Sequence, residues 1–331
     1  MTARPPSSSE PSTVAEVGEV EVIARVTRPH AGSSRTQPAS TLLGPGDDAA
    51  VVAAADSRVV ASTDVLVEGV HFRLDWSTPE QVGRRAVAQN VADVVAMGAV
   101  PTALLVGLAC PPDTPVATLE RIADGLWDEA GRVGAGVVGG DVVRAGQLVV
   151  SVTVLGDLQG REPVLRSGAQ PGDVVALAGR LGWSAAGLAV LGRGFRAPAA
   201  VVAAYRVPEP PYSAGVAAAR GGASAMTDVS DGLLSDLGQL LSASGVAADL
   251  RRGSLSPAGK LVEVGSALGV DPWLWVLTGG EDHALVATFP PQRDLPEGWS
   301  PIGMVTAGSG LTVDGAVWDT EDGPTGWTAF R

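Results

Sequence analysis

The sequence has one cysteine, one lysine and three histidines in 331 residues, and aromatics make up only 4% of it. A single Cys110 permits no intrachain disulfide, so a reducing, cytoplasmic compartment is expected. His30, His71 and His283 fall in no zinc-binding spacing, and no paired cysteines exist to replace them. No apolar run approaches the ~20 residues that span a bilayer. The start, Met1-Thr2-Ala3-Arg4-Pro5-Pro6 followed by serines, lacks the apolar segment of a signal peptide. The lone lysine stands in Ala258-Gly259-Lys260-Leu261 with no hydroxyl residue after it, which removes a Walker-type P-loop. No G-x-G-x-x-G follows a strand-like run and no Gly-x-Ser-x-Gly elbow occurs. A dinucleotide site, a protein-kinase glycine loop and a Ser-His-Asp hydrolase therefore lack support. Positive charge is scarce too: 23 Lys+Arg against 36 Asp+Glu leave a net charge of −13. That balance is wrong for binding duplex nucleic acid or an anionic membrane.

What the chain does have is a 45% hydrophobic content with 18% charged residues, the balance of a globular protein long enough for two domains. It also has aspartates framed by glycine or short polar residues. They read Gly44-Pro45-Gly46-Asp47-Asp48, Ser62-Thr63-Asp64, Asn90-Val91-Ala92-Asp93, Gly139-Gly140-Asp141 and Thr227-Asp228-Val229-Ser230-Asp231-Gly232. A single Gly-Asp pair is an ordinary turn. Five such frames, several after apolar runs, supply the hard oxygen ligands that suit magnesium, beside backbone open to an anion. The pattern points to a multi-metal site for a polyphosphate.

Hydrophobic periodicity and turn chemistry place the frames. Residues 1–12 read as a disordered, Pro/Ser-rich tail. One helix is expected from the Thr13-x-x-Glu16 capping box to about Val26. A β-hairpin is expected over Ala49–Ala54 and Val59–Ser62, then a helix from Thr78-Pro79-Glu80-Gln81 to about Met97, with Asn90 and Asp93 on one face. Strands and helices alternate onward, with Leu274–Leu277 expected as a strand. The turn-rich Arg166–Asp173 marks a junction between a first domain, 13–160, and a second, 161–331. Alternation in both halves gives a mixed class, α/β and α+β.

Gly46-Asp47-Asp48-Ala49-Ala50, Ser62-Thr63-Asp64-x-x-Val67-Glu68-Gly69-Val70-His71-Phe72 and Asn90-x-x-Asp93-x-x-Ala96-Met97-Gly98-Ala99 closely resemble thiamine-monophosphate kinases. Gly139-Gly140-Asp141, Arg166-Ser167-Gly168, Asp228-x-Ser230-Asp231-Gly232-Leu233 and Gly279-Gly280-Glu281-Asp282 continue the resemblance in the family's order. It covers nearly the whole chain from about residue 42. The wider superfamily includes aminoimidazole ribonucleotide synthetase, selenophosphate synthetase and a hydrogenase-maturation dehydratase. The reactive N-terminal cysteine of the second is missing from Ala31–Leu43, and the C-terminal cysteine of the third from Thr328-Ala329-Phe330-Arg331. His283 stands where the kinases commonly carry tyrosine.

The resemblance implies a two-domain aminoimidazole ribonucleotide synthetase-like fold whose N-terminal sheet forms a homodimer interface. It implies ATP and thiamine monophosphate as substrates, direct in-line phosphoryl transfer, and several Mg2+ ions. Asp48, Asp64, Asp93, Asp141 and Asp228 are the implied magnesium ligands, with Ser62 and Thr63 adding oxygens and Asp231 binding a further ion. Asp47 fits either a structural or an outer-shell role. Gly140, Arg166 and Ser230 are implied for ATP, and His71, Glu281 and Trp327 for thiamine phosphate. No general base is expected, because a phosphate oxygen is already ionised near neutral pH. The competing readings are a related ATP-dependent ligase of the synthetase type and a non-catalytic metal or nucleotide sensor.

Overall fold

The computed structural model describes residues 12–27, 37–45, 49–318 and 326. In the N-terminal half, in chain order, are α1 (Val14–Val17), α2 (Glu19–Thr27), β1 (Thr41–Leu43), β2 (Val51–Val52), β3 (Val60–Val67), α3 (Pro79–Ala96), β4 (Val100–Cys110), α4 (Val116–Val133), β5 (Gly136–Arg144) and β6 (Val149–Asp157). The C-terminal half contributes β7 (Val174–Ala178), α5 (Trp183–Gly192), α6 (Ala199–Arg206), α7 (Tyr212–Gly221), β8 (Ala225–Val229), α8 (Leu233–Ser244) and β9 (Ala247–Leu250). It continues with α9 (Gly259–Leu268), α10 (Pro272–Thr278), β10 (Ala284–Phe289), β11 (Trp299–Thr306), β12 (Gly310–Val313) and β13 (Ala316–Val317).

The chain divides into two compact units that interleave in sequence. One holds the residues up to Val52, Thr63–Ala86 and Ala103–Thr153. The other holds Ala53–Ser62, Val87–Thr102 and everything from Val154 onward.

The first half builds a four-stranded sheet in the order β3-β6-β4-β5. β4 and β5 run parallel, from Ala103 opposite Gly136 to Cys110 opposite Arg144, and α4 makes the crossover between them. α3 starts as its capping box dictates. Thr78 N donates to Gln81 Oε1 at 2.9 Å and Gln81 N to Thr78 Oγ1 at 3.4 Å. α3 and α4 approach through glycines: a Cβ on Gly83 would lie 2.0 Å from Ile122 O, and one on Gly125 2.0 Å from Glu80 O. Backbones touch where a side chain has no room.

The second half forms a seven-stranded sheet in the order β13-β12-β9-β11-β7-β10-β8, antiparallel except for the β9–β12 pair. Every residue of β8 and β10 is buried, so these strands read as continuous apolar runs interrupted only by Thr227, Asp228 and Thr288. α8 packs back on β8 directly after the Ser230-Asp231-Gly232 turn.

Three sequence expectations change. The first helix is two, because Gly18 adopts φ 78° and ends α1 after one turn. The expected hairpin does not form. Val51–Val52 pairs with Thr41–Leu43 instead, and Val60–Val67 joins the four-stranded sheet, where its apolar residues have a longer ladder to complete. Leu274–Leu277 is helical, since Asp271 accepts from Trp273 N at 3.0 Å and Pro272 opens the first turn. A helix cap outweighs an apolar run that periodicity alone leaves ambiguous.

Candidate active site

The densest group of candidate residues lies where two loops of the second unit are bonded edge to edge. β8 carries Asp228 into the interior, 3% exposed, and the chain turns through Ser230-Asp231-Gly232 into α8. The Gly279-Gly280-Glu281 loop docks on this turn. Glu281 N donates to Ser230 O at 2.7 Å and His283 N to Val229 O at 3.0 Å. A Cβ on Gly280 would meet Ser230 O at 2.4 Å, so glycine is required for this approach. Glu281 and His283 both hold positive φ, 68° and 50°. Their strained backbone lets successive side chains reach the same cluster.

Charge dominates that cluster. His283 Nδ1 lies 3.1 Å from Asp228 Oδ2 in the interior. Burial works against a charged His283, but the hydrogen bond to Asp228 and the nearby Glu281 outweigh it and raise its pKa to about 10. Glu281 Oε2 is 3.9 Å from His283 Nε2, too far for a hydrogen bond, so it acts through charge. The imidazolium is thus the one cation in direct contact with Asp228 among the described residues. Asp231 is pushed up, first by burial and then by Glu281 and Asp228. Asp236, in the first turn of α8, is raised to about 7 mainly by burial, although it accepts from Asp231 N at 2.9 Å and Gly232 N at 3.2 Å.

The other sequence-predicted residues divide as follows. Ser62 and Asp93 meet, with Ser62 Oγ donating to Asp93 Oδ2 at 2.6 Å. Asp64 lies on β3 in the first unit, and so does Thr63, whose hydroxyl donates to Val152 O and accepts from Thr153, both at 3.0 Å. His71 caps its own segment, Nδ1 accepting from Val67 N at 3.0 Å. Asp141 is exposed on β5, opposite Gly107, and Asp141 Oδ1 accepts from Val142 N at 2.9 Å. Gly140 sits opposite Val106, where a Cβ would lie 1.9 Å from Val106 O, so sheet packing alone demands a glycine there. Arg166 donates from Nε to Thr227 Oγ1 at 3.2 Å and from Nη1 to Gln239 Oε1 at 3.0 Å. Gly326 packs on the Asp231 turn: a Cβ there would be 2.7 Å from Ser235 Cβ and 2.9 Å from Asp231 O. Asp47, Asp48 and Trp327 lie outside the described residues.

Among the described residues, no three His, Cys, Asp or Glu side chains converge as a ready metal site. The donor chemistry nevertheless fits a hard divalent cation. Asp228, Asp231 and Glu281 carry the hard oxygen donors such a cation takes, and Asp231 is pushed up by burial first and by Glu281 and Asp228 second, the part that positive charge nearby would relieve.

Two family models match, the AIR synthase related protein N-terminal domain over residues 46–158 and the C-terminal domain over residues 170–314. Thiamine-monophosphate kinase of Mycobacterium tuberculosis is 53% identical over 98% of this chain and 95% of its own. The Corynebacterium glutamicum thiamine-monophosphate kinase is 44% identical, covering 91% and 90%. The chain belongs to the thiamine-monophosphate kinase family. A solved structure of AaThiL complexed with AMPPCP and TMP aligns with a TM-score of 0.77 at 33% identity, over 86% of this chain and 91% of that one. The fold is therefore the two-part AIR synthase-like fold, and the protein is an enzyme of the kinase class. Neither the ring-forming ligase nor the non-catalytic sensor gains support from these matches.

Two buried acids beside this cluster carry no role in the sequence reading. Asp236 has a visible signal, an acidic residue in the first turn of the helix that follows a motif. Asp282 stands within Gly279-Gly280-Glu281-Asp282, where nothing in the motif distinguishes it from a turn residue. It accepts from Ser184 N at 2.8 Å at the start of α5, and Asp282 Oδ2 has no hydrogen-bond partner among the described residues. Burial raises its pKa from 3.8 to about 7 against the hydrogen bonds from Ser184 and Gly182. A folded-state pKa above the unfolded one means that stability is greatest where the acid is neutral and falls as pH rises between those values. Asp282→Asn keeps the acceptor and removes the charge. Its melting-temperature advantage over the wild type should grow from pH 4 to about 7 and then level off. Melting curves with an equal difference at pH 4 and pH 8 would contradict a charge cost at this position.

Proposed function

We propose that this protein transfers the terminal phosphoryl group of ATP directly onto the phosphate of thiamine monophosphate, giving thiamine diphosphate and ADP, with several magnesium ions held by its aspartate frames. The observation that carries the reading is its near full-length relationship to thiamine-monophosphate kinases. A relative that binds AMPPCP and TMP supports both substrates.

The chemistry required is modest in covalent terms and severe in electrostatic ones. The nucleophile is a phosphate oxygen, ionised above its second pKa of about 6, so no protein base is needed. The barrier lies in bringing a dianion to a triphosphate in line. Magnesium held beside the phosphates would supply the positive charge that screens their repulsion. Asp48, Asp64, Asp93, Asp141 and Asp228 would hold it, with Ser62 and Thr63 adding oxygens and Asp231 taking a further ion. Ser62 already orients Asp93 through a 2.6 Å hydrogen bond, which fixes a carboxylate before ligands arrive. Arg166, with a planar fork suited to phosphate, Gly140 and Ser230 would hold ATP. His71, Glu281 and Trp327 would hold thiamine phosphate, Glu281 answering a cationic or amine-bearing ring. In this reading residues 13–160 bind nucleotide and metal, and residues 161–331 complete the substrate site. Asp47 would be structural or stand behind the ligands.

The N-terminal sheet would also join two copies. Val65, Leu105 and Val143, on β3, β4 and β5, are apolar yet 46%, 39% and 49% exposed, a cost that a partner sheet removes.

Three outcomes test this. Asp93→Asn should lower turnover by ~10²-fold, about 3 kcal/mol of transition-state stabilisation, with the melting temperature little changed. Phosphorus NMR showing normal diphosphate formation at low magnesium would take Asp93 out of the metal site. Trp327→Ala should raise the Michaelis constant for thiamine monophosphate by about 5- to 30-fold, a loss of ~1–2 kcal/mol, and leave that for ATP nearly unchanged. An unaltered constant would make Trp327 a packing residue. Sedimentation should show a dimer at micromolar concentration, and a fully active monomer would defeat the assembly.

A further inference from the structure

We infer that Gln239 is a positioning residue that ties Arg166 to the turn carrying Asp231, through Asp236. The chain of hydrogen bonds is unbroken within the second unit. Arg166 Nη1 donates to Gln239 Oε1 at 3.0 Å, Gln239 Nε2 donates to Asp236 Oδ1 at 3.4 Å, and Asp236 Oδ2 accepts from Asp231 N at 2.9 Å and Gly232 N at 3.2 Å. Asp236 and Gln239 stand three apart on α8, the spacing that places side chains on one helical face. At its other end Arg166 Nε is fixed on Thr227 Oγ1, one residue before Asp228.

The residue type suits the task. A bridge between a guanidinium and a carboxylate needs an acceptor on one side and a donor on the other, and a neutral amide provides both. A direct Arg166–Asp236 ion pair would neutralise the arginine. The amide and the Thr227 hydroxyl orient it through two of its five N–H donors and leave its charge for an anion. Gln239 itself is exposed, so it contributes little to the core. Its effect is geometric: Arg166 and the Asp231 turn are set by the same helix and move together.

This inference rests on the reading of Arg166 as an ATP ligand, and the test separates the two. Full-length Gln239→Met, Arg166→Met and the double variant are titrated with AMPPCP by calorimetry and assayed with each substrate varied in turn. Gln239→Met should weaken AMPPCP binding and raise the ATP Michaelis constant about 3- to 10-fold, the effect of one hydrogen bond of ordinary net strength. The constant for thiamine monophosphate and the melting temperature should stay as in the wild type. In the double variant the Gln239 effect should vanish, because its target is gone. Normal AMPPCP affinity in Gln239→Met beside weakened binding in Arg166→Met would overturn the bridge alone. Penalties that add in full in the double variant would also overturn it. Normal affinity in Arg166→Met would overturn the assignment of Arg166 and the bridge with it.

Discussion

Close-range negative charge is the constraint on which this structure turns. Asp228 is buried near the end of β8, the edge strand of its sheet, with Asp231, Asp236 and Glu281 around it, and among the described residues a single imidazolium touches it. Taking one carboxylate out of water without compensation is costly, and the usual outcome is protonation or pairing. Both occur here: His283 is held charged by Asp228 and Glu281, while Asp236 and Asp282 shift toward neutrality. The fold tolerates this arrangement through one charged ring and two acids pushed toward neutrality.

The backbone is shaped to serve that cluster. Gly279 and Gly280 approach other main-chain atoms too closely for any side chain, and Glu281 and His283 follow in left-handed conformations. Such strain persists only where surrounding contacts over-determine it. Here the contacts are the two hydrogen bonds to Ser230 and Val229, and the capping of α5 by Asp282. One tetrapeptide is therefore pinned on both flanks, which converts a flexible glycine pair into a fixed platform for Glu281. Asp236 performs the matching service from the α8 side by holding the Asp231 and Gly232 amides.

Local signals make much of the fold legible. Capping chemistry at Thr78 sits where the sequence places it, because its information is local. The hairpin expectation fails because pairing partners are not a local property. Val51–Val52 prefers Thr41–Leu43, and nothing in either segment announces it. Leu274–Leu277 is ambiguous in sequence because a four-residue apolar run carries no period, and Asp271-Pro272 holds the answer. At the site, the acidic frames are visible as motifs and Asp236 as an acid in the first turn of α8, whereas Gln239 and Asp282 carry no such signal. Their roles depend on which loop they face, and that is decided by tertiary packing.

The family pattern and the physical pattern also diverge instructively at His283. Where the family resemblance implies a tyrosine, this chain places a histidine that contacts Asp228 at 3.1 Å and sits near Glu281. A phenol at that position would offer a hydrogen bond but no positive charge near neutral pH. The imidazolium instead neutralises part of the acidic cluster before any metal binds. Asp228 and Glu281 thus share one charged ring in this chain, in contact with the first and 3.9 Å from the second.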